Sequence, residues 1–130
     1  KFFNKKPIIA ILGINPHNFY LSNKSKEKEI IEKAIKSLIK LGIKVQGPVS
    51  ADSSFMIFKK YRFDVIVGMY HDQVLTPFKA LYNFDAINIT LGLPYFRVSP
   101  DHGVGENIAG KKIANPKSLI ESINFFKRIN

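Results

Sequence analysis

Three histidines, His17, His71 and His102, each stand in a polar stretch just after a strand-like run or a turn, where an imidazole can meet a ligand. His17 follows Asn15-Pro16, His71 sits in Met69-Tyr70-His71-Asp72-Gln73, and His102 sits in Asp101-His102-Gly103. Neutral imidazole nitrogen is a common ligand for Zn²⁺, so His17 and His71 are candidate metal ligands that the fold, not local spacing, has to bring together. The competing reading is a histidine that caps or bridges backbone groups. Asp52 and Asp72 are carboxylates beside turns, suited to ligate a metal or to orient an imidazole. For Asp52 the position favours the other reading, the cap of a helix beginning near Ser53. Arg97 lies in the loop Gly92-Leu93-Pro94-Tyr95-Phe96-Arg97, and its guanidinium suits a phosphate or carboxylate. Lys79 is one of many lysines and carries no signal by its spacing. There is no Walker loop and no G-x-G-x-x-G, since Gly103-x-Gly105 lacks the third glycine.

The elements that must hold these residues alternate between strands and helices. Pro7 to Ile14 is a continuous apolar run and reads as a strand buried on both faces. Ile30, Ile31, Ala34, Ile35, Leu38 and Ile39 recur at helical spacing, with Ser25 as cap, Glu27 and Glu29 at the positive end and Gly42 as the stop. Ile43-Lys44-Val45 predicts a short strand ended by Gly47-Pro48. A short helix over Ser53–Arg62 leads to a strand over Asp64–Met69. A helix over Val74–Phe84 follows, with Pro77 tolerable only in its first turn. Ala86–Leu91 alternates as a strand, and a long loop then leads to a helix from Pro116 to about Arg128, capped by Asn115. This alternation argues a layered α/β architecture, in which polar loops at strand ends hold ligands.

Composition narrows the classes. The chain has 130 residues, 45% of them apolar, enough for one modest core and too few for several domains. It has no cysteine, which excludes disulfide scaffolds, thiolate zinc sites and cysteine nucleophiles. The longest aliphatic run is far short of a membrane span, and Asn15-Pro16-His17 offers no signal-peptide cleavage site. Net charge is +10, yet only three of the 20 basic residues are arginines and the lysines are scattered. Arginine is the preferred fork for phosphate and guanine, so the charge reads as solvated helix faces and not as a nucleic-acid surface. The chain opens on Lys1, which is consistent with residues upstream.

Taken in order, Asn15-Pro16-His17, Gly47-Pro48-x-x-Ala51-Asp52, Met69-Tyr70-His71-Asp72-Gln73, Asn88-Ile89-Thr90-Leu91-Gly92-Leu93-Pro94, Arg97 and Asp101-His102-Gly103 carry a resemblance. Together they look like the C-terminal part of the 4-hydroxythreonine-4-phosphate dehydrogenase family. The resemblance implies a layered α/β/α fold of the isocitrate/isopropylmalate dehydrogenase type, with residues 1–130 as its C-terminal portion and an N-terminal part absent. It implies oxidation of 4-phosphooxy-L-threonine by NAD(P)⁺ to a β-keto acid, which loses CO₂ to give 3-amino-2-oxopropyl phosphate in pyridoxal 5'-phosphate biosynthesis. It further implies a divalent metal (Zn²⁺, Mg²⁺ or Co²⁺), with His17 and His71 matching two of three histidine ligands, and a cytoplasmic homodimer. Lys79, Asn88 and Arg97 match substrate-binding positions, and Lys79 and Asp52 are the catalytic candidates.

A second resemblance lies within the first. Asp101 to Pro116 is similar to the adenine-binding segment of isocitrate and isopropylmalate dehydrogenases, which implies cofactor contacts for His102 and Asn115. NADP-using relatives carry Lys-Tyr where this chain has Asn107-Ile108, so the missing cation favours NAD. One departure stands out. After Asn15-Pro16-His17 the family has a loop of the type Ala-Gly-Glu-x-Gly, whereas here Asn18–Lys24 is bulky and lacks glycine and carboxylate, so it must take another path. The rival expectation is a catalytically silent remnant or interaction domain with the same fold.

Overall fold

The structure, a computed structural model, describes residues 5–18 and 25–129. The altered segment after Asn18 lies outside the described residues. The described chain divides between Phe78 and Lys79 into two compact units.

The first unit is built on a parallel sheet of β1 (Ile9–Leu12), β2 (Val45–Val49) and β3 (Val65–Val67), in the order β2-β1-β3. β1 is central, pairing Ile9 with both Val45 and Val65. A central strand is covered on both faces, and Ala10, Ile11 and Leu12 are all buried, as their unbroken apolar run predicts. Helix α1 (Lys26–Lys40) packs Ile31 and Ile35 against Ile11 and Val45, with Leu38 beside them. The apolar stripe is narrower than the periodicity suggested, because Ile30, Ala34 and Ile39 are exposed. Ser25 caps α1 by accepting from the Lys28 N–H, and Gly42 follows its end at φ 75°, a conformation that favours glycine.

Several boundaries differ from expectation, β3 being shorter than the expected Asp64–Met69 and β2 running past the expected Ile43–Val45. Gly47-Pro48 does not end the second strand but lies inside β2, through a cis peptide. Proline is tolerated there because β2 is an edge strand and the ladder is already irregular between Ala10 and Leu12. Gly47 is needed for close approach: a Cβ there would stand 2.6 Å from the Ile11 carbonyl oxygen. Helix α2 (Ala51–Tyr61) begins two residues before the expected Ser53, with Ser50 at its N-cap position, so Asp52 lies in the first turn and is not the cap.

Helix α3 (His71–Tyr82) begins three residues before the expected Val74. His71 and Asp72 therefore stand on a helical turn instead of a loop, and Pro77 is interior to the helix, not in its first turn. Proline there supplies no N–H to the Gln73 carbonyl.

The second unit holds the antiparallel pair β4 (Ile87–Thr90) and β5 (Arg97–Pro100), a 3₁₀ turn over Glu106–Ile108 and helix α4 (Lys117–Ile129). β5 lies within what reads from sequence as a long loop. Ser118, Ser122 and Phe125 form the buried stripe of α4. Ser118 is 1% exposed; its hydroxyl donates to the Ala86 carbonyl at 2.5 Å and accepts from the Asp101 N–H at 2.8 Å. One side chain thus ties α4 to the start of β4 and the residue after β5. Among the described residues no helix is long and apolar enough to cross a membrane.

Candidate functional site

In the first unit the candidate residues follow the C-terminal ends of the three parallel strands: His17 after β1, Asp52 after β2 and His71 after β3. Open α/β sheets hold ligands at that end. The turn carrying His17 is set locally, with the Asn15 side chain accepting from the His17 N–H at 3.0 Å. It is then stitched to the second strand's end, where the Ser50 hydroxyl donates to the His17 carbonyl at 2.9 Å and the Asp52 N–H to the Pro16 carbonyl at 3.3 Å.

This framework brings His17 Nδ1 to 2.7 Å from Asp52 Oδ2. The same pairing recurs at the third strand, where His71 Nδ1 lies 2.7 Å from Asp72 Oδ1. An ionised carboxylate only accepts, so each Nδ1 carries the hydrogen and each neutral ring keeps its lone pair on Nε2. Both imidazoles are exposed, so these nitrogens are open to a ligand. A carboxylate behind the distal nitrogen is the usual support of a metal-bound histidine, and the donor chemistry of His17 and His71 fits a divalent cation. Among the described residues, no group of three or more His, Asp or Glu side chains is close enough to hold a metal by itself.

Gln73 belongs to the motif Met69-Tyr70-His71-Asp72-Gln73, but its type and spacing assign it no role. Its Oε1 accepts from the Met69 N–H at 2.7 Å and the Tyr70 N–H at 3.2 Å, and its Nε2 donates to the Gly13 carbonyl at 2.8 Å. It caps α3 from within, as a glutamine three residues into a helix can.

In the second unit the β4–β5 register places Asn88 opposite Ser99 and Thr90 opposite Arg97. Directly opposed residues share a face, and so do residues two apart, so Asn88, Thr90, Arg97 and Ser99 form one polar face of the hairpin. Arg97 is thus the first residue of a strand rather than part of a loop, and its Nη1 donates to the Thr90 hydroxyl at 3.0 Å. Thr90 and Ser99 join the face through strand pairing, for which the sequence held no local signal. Lys79 lies 3.6 Å from Asp101 Oδ2, a buried oxygen with no hydrogen-bond partner among the described residues. The ammonium is the charge that faces it.

His102 and Asn115 line one cavity of about 690 Å³, together with Phe84, Asn107, Ile108 and Lys112. Asn115 Oδ1 accepts from the Lys117 N–H at 3.0 Å, so its oxygen starts α4 while the residue still lines the cavity. Lys112 places a cation on this lining that inspection of Asn107-Ile108 alone does not reveal.

The family profile described as pyridoxal phosphate biosynthetic protein PdxA matches residues 1–126. A 4-hydroxythreonine-4-phosphate dehydrogenase of Sulfurihydrogenibium sp. (strain YO3AOP1) is 51% identical over 126 residues, 95% of this chain and 38% of the relative. Among solved structures, the 4-hydroxythreonine-4-phosphate dehydrogenase of Klebsiella pneumoniae matches with a TM-score of 0.74 at 37% identity, over 92% of this chain and 37% of that one. A terephthalate 1,2-cis-dihydrodiol dehydrogenase of Burkholderia xenovorans LB400 matches with a TM-score of 0.65 at 31% identity, over 92% and 38%. The chain thus spans 38% of the length of the first of these relatives.

The fold and the structures it matches define an α/β protein of the isocitrate/isopropylmalate dehydrogenase-like class, whose matched relatives are dehydrogenases. Within that class, the chain belongs to the pyridoxal phosphate biosynthetic protein PdxA family.

Proposed function

We propose that this chain is the C-terminal portion of an NAD(P)-dependent, metal-assisted dehydrogenase of 4-phosphooxy-L-threonine. The product is a β-keto acid that decarboxylates to 3-amino-2-oxopropyl phosphate, a step toward pyridoxal 5'-phosphate. The observation that carries the reading is the twinned pairing of His17 with Asp52 and His71 with Asp72, each leaving Nε2 outward. His17 and His71 would hold a divalent cation (Zn²⁺, Mg²⁺ or Co²⁺), which supplies positive charge beside the reacting oxygen. Asp52 fixes the tautomer and orientation of His17, and it and Lys79 are the catalytic candidates. Arg97 and Lys79 meet the substrate's anionic groups, and Asn88 contributes a neutral, oriented hydrogen bond.

His102 and Asn115 would hold the adenosine of a nicotinamide dinucleotide. The absence of a cation at Asn107-Ile108 favours NAD over NADP, and Lys112 is the residue to test on that point. We read the complete protein as a cytoplasmic homodimer with no nucleic-acid or membrane partner.

The alternative, a silent remnant or interaction domain of the same fold, is favoured by the bulky sequence Asn18–Lys24, which lacks the glycines and carboxylate of the family loop after His17. One assay separates the two. The 130 residues alone are expected to be inactive, whereas the full-length protein, N-terminal part included, given 4-phosphooxy-L-threonine, a divalent metal and NAD⁺, should form reduced nicotinamide and release CO₂ in equal amounts, faster than with NADP⁺. No turnover by folded protein would establish the silent reading. Turnover of an unphosphorylated cis-dihydrodiol in its place would move the substrate class.

A further inference from the structure

Gln73 stands where the sheet stops holding the site together. The β1–β3 ladder ends at the pairing of Ile11 with Val67, and both histidines lie beyond it. Past that point the separation of the two chain segments is no longer set by strand pairing. The Gln73 amide spans this gap: it donates to Gly13, four residues before His17, and accepts from Met69 and Tyr70, the residues leading into His71. Gly68 makes the arrangement possible, since a Cβ there would stand 2.8 Å from Val74 Cγ1 and 3.4 Å from Gln73 Cβ. The start of α3 folds back onto the end of β3 because no side chain intervenes.

We propose that Gln73 is the positioning residue of the metal site, the brace that sets the His71 segment against the His17 segment. The inference rests on the reading of His17 and His71 as metal ligands. The chemistry requires a primary amide, because one end must accept from two N–H groups while the other donates to a carbonyl. Glutamate keeps the shape and the acceptor, but it loses the donor and turns a carboxylate oxygen toward the Gly13 carbonyl. Methionine keeps the volume and loses all three bonds. Gln73 is half-buried and acts on the metal through His71, so its effect belongs to ligand geometry.

The test uses the full-length protein, N-terminal part included, with Zn²⁺ affinity from chelator competition and the visible absorption of the Co²⁺ form. Gln73→Glu should weaken metal binding by about tenfold to a hundredfold, as loss of a supporting partner does. It should also change the Co²⁺ spectrum, while NAD⁺ affinity stays as it was. Metal affinity and spectrum equal to the unmodified protein would overturn the proposal. His71→Ala, run in parallel, separates the two ideas: if it too keeps full metal affinity, the metal reading itself has failed. Should the Gln73 variants not fold, NMR of the unmodified protein decides. The Gln73 side-chain amide should exchange slowly and shift on adding Zn²⁺; fast exchange with no shift would overturn the brace.

Discussion

His17 and Asp52 are 35 residues apart in sequence, yet His17 Nδ1 lies 2.7 Å from Asp52 Oδ2. The contact joins the end of one parallel strand to the first turn of the helix after its neighbour, and it decides which imidazole nitrogen is available. Asp52→Asn keeps the size of the side chain and removes the charge that holds the Nδ1 hydrogen. Metal affinity should fall by about tenfold to a hundredfold, read by chelator competition. Unchanged affinity would make the pair an incidental surface contact.

Arg97 and Thr90 give a second prediction. Thr90 accepts one guanidinium N–H, which orients the rest of the fork. Arg97→Lys should weaken substrate binding by about 1.5–3 kcal/mol, because one ammonium does not reproduce two parallel hydrogen bonds. Thr90→Val should cost less, about 1 kcal/mol, since the charge remains. Equal apparent affinities in all three proteins would assign Arg97 to structure.

Ser118 carries a stability prediction. Replacing its buried hydroxyl by Ser118→Ala strands the Asp101 N–H and the Ala86 carbonyl together. Each unpaired group costs about 1–3 kcal/mol, so a urea midpoint should report a loss of about 2–4 kcal/mol. A loss well under 1 kcal/mol would mean that water replaces the hydroxyl.

Asp64 gives a dependence on pH. Its carboxyl accepts from the Ile8 N–H at 2.9 Å and pairs with Lys5 at 3.1 Å, and these contacts, the backbone bond first, hold its pKa below the ordinary 3.8. A depressed folded pKa means that the contribution is complete above the ordinary value and is lost as pH falls through the folded one. Asp64→Asn should therefore melt lower than the unmodified protein near neutrality, with the gap closing in acid as pH falls below the ordinary carboxylate value and through the lower folded one. A gap independent of pH would show that charge plays no part.

Legibility tracked how local each signal is. The buried run of β1 and the Ser25 cap and Gly42 stop of α1 were readable because each is decided within a few residues. Helix α4 starts one residue later than expected, at Lys117, with Pro116 at the cap position and Asn115 just before it. The start of α3 was misplaced because its capping side chain, Gln73, also reaches back to Gly13. β5 was invisible because Arg97–Pro100 becomes a strand only by pairing with Ile87–Thr90. Gly47-Pro48 read as a strand end because edge position in a sheet leaves no local mark.

The sequence by itself determined the α/β class, the inventory of candidate ligands and, through the order of its motifs, the family resemblance. Only the tertiary structure decided which carboxylate serves which histidine, that Arg97 stands across from Thr90, and that one amide bridges Gly13 to the head of α3. The reason is physical. A helix cap or an apolar period is set by neighbours along the chain, whereas a 2.7 Å contact between residues 35 apart depends on the register of β1 with β2 and on where the next helix begins.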